Sequence, residues 1–241
     1  MNQNFCDPIQ KVFIKILDTP EKVEREIIGA KIFSQFTKTP KTEALDNRTL
    51  KISMIEGTRS DCLKETFINN LIIDLFCKIK IGFKGQTIKK FDIEKSIESL
   101  EVKVRSRPEI LLALECLKGK IKNQALYPVH GDLQRQNIFI KRGQLSLIDF
   151  EHFSFAPLEL ELANSLFFSD ENCLDVQSLA TILSEKKIIS LDLLALMLVF
   201  YSIKEFAAGS SPRKCAACLS AGMTRLESLG SCFAYNNRLF L

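Results

Sequence analysis

Asp132, Asn137 and Asp149 are the residues of this chain whose types and spacing could do chemistry together. They lie in Tyr127-Pro-Val-His-Gly-Asp-Leu-Gln-Arg-Gln-Asn-Ile-Phe-Ile140 and Leu147-Ile-Asp-Phe-Glu151, Asn137 five residues after Asp132 and Asp149 seventeen after it. Moving a phosphoryl group from a nucleotide to a hydroxyl needs such a set. One carboxylate orients the attacking hydroxyl and accepts its proton, while a second carboxylate and an amide oxygen hold Mg2+ against the phosphates. The expected roles are therefore Asp132 as base and Asn137 and Asp149 as metal ligands. His130 reads as a structural histidine, hydrogen-bonded to backbone to shape the loop, rather than as a base. Glu151 is open between a contact to metal or acceptor and a plain structural hydrogen bond.

These residues need a loop and a hairpin to meet. The apolar segments 137–140 and 145–148 flank Lys141-Arg-Gly-Gln144, which predicts two short strands with a glycine turn and carries all three side chains to one edge. Upstream, residues 11–17 read as a strand. Thr19-Pro20-Glu21 then supplies an N-cap, a proline in the first turn and an early acid. They open a helix with Val23, Ile27, Ala30 and Phe33 or Phe36 on one side. Segments 41–46 and 48–55 read as strands joined at Asp46-Asn47. From residue 63 the periodicity is helical, at 63–79, 92–104, 108–122, 157–168, 174–185 and 190–207, with a stop at Gly209-Ser-Ser-Pro212 and a last helix over 213–233. The class is α+β: a small sheet-plus-helix lobe of residues 1–57 precedes a larger, mainly helical lobe of 58–241.

The run His130-Gly131-Asp132 through Asn137 resembles the catalytic loop of the kinase-like phosphotransferases. Asp132-Leu-Gln134, Leu147-Ile-Asp-Phe-Glu151 and Glu161-Leu-Ala-Asn-Ser-Leu-Phe167 bring it nearer to the aminoglycoside phosphotransferase and choline/ethanolamine kinase families than to protein kinases, which would have Asp-Phe-Gly at 149–151 and an Ala-Pro-Glu segment after it. The close similarity covers residues 127–167. It implies a bilobal protein-kinase-like fold and transfer of the γ-phosphoryl of ATP, with Mg2+, to a hydroxyl of an amino alcohol, aminoglycoside or sugar. Val12-Phe-Ile-Lys15 resembles the strand that presents the nucleotide lysine, with Glu26 as its partner and Glu24 as the alternative on helical phase. The resemblance also implies that adenine bonds backbone around Ser53 to Glu56 and rests on Phe139 and Ile148. Two departures stand out. Only 14 residues precede Lys15 and no glycine occurs before Gly29, so the first lobe reads as truncated where a phosphate-covering loop is expected. Glu161 also replaces the family's usual Asp. A rival reading follows from the first departure: a catalytically silent pseudokinase that binds or scaffolds.

Composition narrows the partners. The 241 residues carry 46% hydrophobic and 26% charged side chains with 10 Gly and 7 Pro, which is globular usage and excludes a collagenous or wholly disordered chain. The net charge of +4 is too mild for a nucleic-acid binder unless clustered. Residues 1–120 hold 22 basic and 17 acidic side chains against 11 and 12 in 121–241, so the first half would supply cations to a polyanion. The lysines at 78, 80, 84, 89 and 90 could serve an anionic acceptor or nucleic acid, and read first as a solvated loop. The longest uncharged apolar run, 193–203, is 11 residues, short of the ~20 a membrane helix needs. No secretory leader is evident, and the expected location is the cytoplasm, without membrane or nucleic-acid partners. Eight scattered cysteines read as reduced. Cys215-Ala-Ala-Cys218 reads as core packing on a helix, because Cys232 is the sole further ligand nearby in sequence. Choline is disfavoured as acceptor: a quaternary ammonium is best held by an aromatic cage, and the chain has no Trp and three Tyr.

Overall fold

The computed structural model describes residues 3–167, 176–210 and 215. The expected final helix over 213–233, with Cys218 and Cys232, lies outside the described residues apart from buried Cys215. In chain order the elements are β1 (Gln3–Asp7), β2 (Val12–Ile16), α1 (Pro20–Phe33), β3 (Thr42–Ala44), β4 (Thr49–Ser53), β5 (Thr58–Arg59), α2 (Glu65–Gly82), α3 (Ile93–Lys103), α4 (Pro108–Ile121), β6 (Tyr127–Val129), β7 (Ile138–Lys141), β8 (Gln144–Leu147), β9 (Ser154–Ala156), α5 (Glu159–Phe167), α6 (Val176–Glu185) and α7 (Leu191–Ala207). Contacts divide the chain into two compact units. Among the described residues one gathers 3–85 and 130–154, and the other 86–129, 155–167 and 176–210.

In the first unit an antiparallel sheet runs β1-β2-β4-β3. The sequence expectation missed β1. Gln-Asn-Phe-Cys-Asp shows no clean alternation, and the strand exists because β2 offers it a partner, from Gln3 opposite Ile16 to Asp7 opposite Val12. Asp7 then caps the turn, its Oδ1 accepting from the backbone of Ile9 and Gln10 at 3.0 Å each. The expected hairpin at Asp46 closes the same way: Asp46 Oδ1 accepts from Arg48 N at 2.7 Å and Thr49 N at 2.8 Å.

Helix α1 starts where the sequence places it, with the Thr19 side chain accepting from Lys22 N and Pro20 in the first turn. Its buried face is Val23, Glu26, Gly29, Ala30 and Phe33. Val23 joins Leu17 and Leu50 beneath the sheet, with Ile27 and Ile52 packed against them. After the helix, residues 37–38 attach to β8, with Lys38 N donating to Leu145 O and Leu147 N to Lys38 O. A second sheet, β5-β7-β8, contains the expected hairpin. Arg142 and Gly143 have φ of +52° and +76°, the pair of positive values a two-residue hairpin turn of matching twist requires.

The second unit is helical and is built around α5 and α7. Asp92 caps α3 and Ser190 caps α7 through their side chains, and α7 ends before Gly209 at φ +90°. Asn164 donates to the Tyr201 hydroxyl at 2.6 Å inside this core. Among the described residues no helix is long and apolar enough to cross a membrane.

Gly29 controls how closely α1 approaches the segment after β8. A Cβ there would stand 2.7 Å from Phe150 Cβ and 2.9 Å from Phe153 Cβ, and these rings pack with Phe33. Gly29→Ala is therefore expected to destabilise the protein by ~1–3 kcal/mol, the usual range for overpacking, despite alanine's better helix propensity. Urea denaturation measures it, and a neutral or stabilising result would show that α1 has slack at this contact.

Candidate active site

Lys15 and Glu26 reach each other because β2 and α1 pack through the Leu17 and Val23 cluster. Lys15 Nζ donates to Glu26 Oε2 at 3.1 Å and to Asp149 Oδ1 at 2.7 Å, and Glu151 Oε2 lies 3.4 Å away. Glu26, rather than Glu24, is the helix carboxylate on the lysine. Its side chain is fully buried. Burial works against the ammonium of Lys15, yet Glu26, Asp149 and Glu151 outweigh it and raise the pKa, so the lysine stays charged. Burial also raises the pKa of Glu26, with Lys15 opposing.

Asp149 follows β8 at φ +70°, a left-handed conformation that Asp tolerates better than most residues. Two bonds fix this point from the side of the loop that carries Asp132 and Asn137. Ile148 N donates to Asn137 O at 3.1 Å, and the His130 ring bonds Ile148 O through Nε2 at 2.8 Å. His130 Nδ1 accepts from Asp132 N at 3.3 Å, so the ring is the neutral tautomer with its proton on Nε2. Burial lowers its pKa to about 4, in agreement. The expected structural histidine thus ties the loop of Asp132 to the strand end of Asp149.

The loop is held in several further ways. Gly131 has φ +82°, and a Cβ on it would meet His152 O at 2.2 Å, so only glycine fits. Asn137 Nδ2 donates to both the backbone oxygen and Oδ2 of Asp132, each at 2.9 Å. Because the amide nitrogen is spent on Asp132, the carbonyl oxygen of Asn137 is the atom left to meet a cation. Burial raises the Asp132 pKa; His152 and the bond from Asn137 oppose this, and Asp149 and Glu151 add to it. In Glu151 the opposite holds. His152, Lys15 and Lys22 overcome partial burial and bring its pKa down to about 2.

Lys15, Glu26 and Asp149 border a cavity of about 360 Å3 whose other walls include Ser53, Phe139 and Ile148. Phe13, Ile52, Met54 and Ile55 complete it. Phe13 was legible by the two-residue period of a strand, which puts it on the face of Lys15. It sits opposite Ile52 in the β2–β4 ladder. Glu56 does not line this space: its exposed carboxylate pairs with Lys141 and, at 3.7 Å, with Lys11. Arg135 was not anticipated. Its guanidinium donates to Ser60 O at 2.7 Å and Leu63 O at 2.5 Å, while Ser60 Oγ donates to Arg135 O at 2.7 Å, clamping the loop of Asp132 to the segment after β5.

Asn137 and Asp149 offer hard oxygen donors, a chemistry that suits Mg2+, which one or two protein oxygens and substrate phosphates commonly share. Among the described residues no group of three or more His, Cys, Asp or Glu could by itself hold a metal ion.

No family model matches the chain, and no curated protein matches its sequence. Solved structures do. A thermostable mutant of aminoglycoside phosphotransferase APH(4)-Ia superposes with a TM-score of 0.63 at 12% identity, over 95% of this chain and 91% of that one. The gentamicin complex of APH(2")-IIa gives 0.57 at 16% identity, over 100% and 90%. The GDP complex of wild-type aminoglycoside 2'-phosphotransferase-IIIa gives 0.60 at 10% identity, over 95% and 91%. The chain therefore has the kinase-like fold of the aminoglycoside phosphotransferases.

Proposed function

We propose that the chain is a phosphotransferase that moves the γ-phosphoryl group of ATP to a hydroxyl of a small molecule, with residues 1–57 as its nucleotide-binding lobe and 58–241 as its helical lobe. Asp132 orients the hydroxyl and takes its proton. Lys15 meets the phosphates and Glu26 keeps it aimed. Asn137 and Asp149 would hold Mg2+, which supplies neutralisation of phosphate charge. Ser53, with the chain through Glu56, faces the base by its backbone, and Phe139 and Ile148 provide the apolar floor. The observation that carries this reading is that Lys15, Glu26, Asp149 and the Asp132–Asn137 pair, drawn from distant parts of the chain, lie in one bonded network beside a cavity. The acceptor is sought among small alcohols. Incubation with labelled ATP and a panel of aminoglycosides, ethanolamine, choline and sugars should label at least one; transfer to none of them would count against the reading.

The raised pKa of Asp132 fixes a pH signature. A base must be deprotonated, so the rate climbs as pH rises through its pKa. The acid limb of kcat/KM is expected above the ordinary aspartate range near ~3.9. An acid limb at or below that value would remove Asp132 from the role.

A second reading, nucleotide binding without transfer, has one observation in its favour. The connection between β1 and β2 contains no glycine, and no residue of it or of β1 borders the cavity, whereas phosphate-covering loops rely on glycine for close backbone approach. The same acceptor panel separates the two readings.

A further inference from the structure

Lys15 has more carboxylate around it than a phosphate-binding lysine with a single tether requires. Besides Glu26 and Asp149, Glu151 places Oε2 3.4 Å from the ammonium. The other oxygen of Glu151 is engaged as well, 3.5 Å from Lys22 Nζ and 3.4 Å from His152 Nε2. Lys22 is in turn 3.2 Å from Asp18 Oδ1. It lies on α1 one turn before Glu26, and the Glu151 side chain is only 12% exposed.

We propose that Glu151 is a second tether of Lys15, itself held by Lys22, and that it keeps the ammonium in place when Asp149 is engaged by a divalent cation. The inference rests on the assignment of Asp149 as metal ligand. Asp149 Oδ1 is the nearest partner of Lys15, at 2.7 Å, and a carboxylate that binds a cation gives up much of its hold on a neighbouring ammonium. Lys15 then depends on Glu26 Oε2 at 3.1 Å and on Glu151. Both tethers trace to one helix: Glu26 directly, Glu151 through Lys22. The second cation matters because a lone carboxylate beside a polyphosphate would repel it. Bracketed by Lys15 and Lys22, Glu151 acts instead as a link between two ammonium groups.

The role is one of positioning, so binding rather than turnover is the readout. Fluorescent N-methylanthraniloyl-ATP is titrated in Mg2+ and in EDTA against wild type, Glu151→Gln, Lys22→Met and Asp149→Asn, after thermal melts establish that each variant is folded. For Glu151→Gln the Mg2+-dependent gain in affinity should fall roughly 10-fold, the size of one charge-assisted hydrogen bond, while affinity in EDTA stays within about 2-fold. Lys22→Met should move the same way by a smaller factor. Tighter binding of Glu151→Gln in both buffers would make Glu151 a merely repulsive charge and overturn the proposal. Weaker Mg2+ binding in Glu151→Gln with stronger binding in Lys22→Met would make Glu151 a metal ligand and overturn it equally. If wild type gains from Mg2+, Asp149→Asn loses that gain and Glu151→Gln keeps it, the tether falls and the metal assignment stands. If wild type shows no gain, the metal assignment fails and the tether with it.

Discussion

Asp132→Asn is expected to bind nucleotide within a few-fold of wild type and to transfer phosphoryl ~10²–10⁴-fold more slowly, the loss that follows removal of a positioned general base. The substitution is nearly isosteric. Asn137 Nδ2, which donates to Oδ2 and to the backbone oxygen of Asp132 at 2.9 Å, can still find an amide oxygen, and the backbone bond from Asp132 N to His130 is unaffected. The loop keeps its shape and loses only a proton acceptor. Measuring Kd and kcat on the same preparation divides the outcomes. Loss of both would mean that the carboxylate is structural. Retention of both would send the search for a base to another carboxylate such as Glu151, although the two ammonium groups beside its oxygens make it a weaker proton acceptor.

The chain shows which parts of such a site can be read without coordinates. Asp132, Asn137 and Asp149 were legible because the loop and hairpin that join them are short and locally determined. Arg142-Gly143 enforces the turn through positive φ, and the strands follow from apolar runs on both sides. Lys15 and Glu26 were legible in part. Strand and helix were clear, but choosing Glu26 over Glu24 needed the burial of α1 against Phe150 and Phe153, which depends on Gly29 and on packing between segments more than 100 residues apart. β1 and β5 were illegible for a related reason: neither Gln3–Asp7 nor Thr58–Arg59 has a pattern of its own, and each is a strand only because β2 or β7 presents a free edge. The Arg135 to Ser60 clamp left no trace in spacing at all. An arginine in a loop reads as solvated until its carbonyl partners are seen.

Glu56 illustrates the limit from the other side. The family resemblance implies adenine bonding to backbone around Ser53 to Glu56 and says nothing of the Glu56 side chain, which lies on Lys141 and Lys11, outside the walls of the cavity. Counting fixes backbone neighbourhood but not side-chain direction: Ile52, Ser53, Met54 and Ile55 all line the cavity, and the next side chain does not. Ser53, three residues earlier, lines the cavity.

The second large effect is expected at Asp149. Replacing it should abolish the Mg2+ dependence of nucleotide affinity and lower transfer by at least about 10³-fold, since charge that develops on the phosphates would lose its counterion. Alanine is a poor probe by itself. At φ +70° it adds backbone strain of ~1–2 kcal/mol, and it also strips Lys15 of its nearest partner at 2.7 Å. Asparagine tolerates that conformation and keeps one oxygen in place, so Asp149→Asn isolates the charge. A buried ammonium with Glu26 and Glu151 still beside it should remain folded in this variant, and a thermal melt near that of wild type would establish it. The decisive comparison is nucleotide affinity in Mg2+ against EDTA. Wild type should bind more tightly with the metal, because phosphate charge cannot approach the Asp149 carboxylate without a bridging cation. Asp149→Asn should bind equally in both, and in EDTA more tightly than wild type, since the repelling carboxylate has gone. A variant that keeps the full Mg2+ gain would move the metal away from Asp149, and Asn137 would lose its assignment along with it.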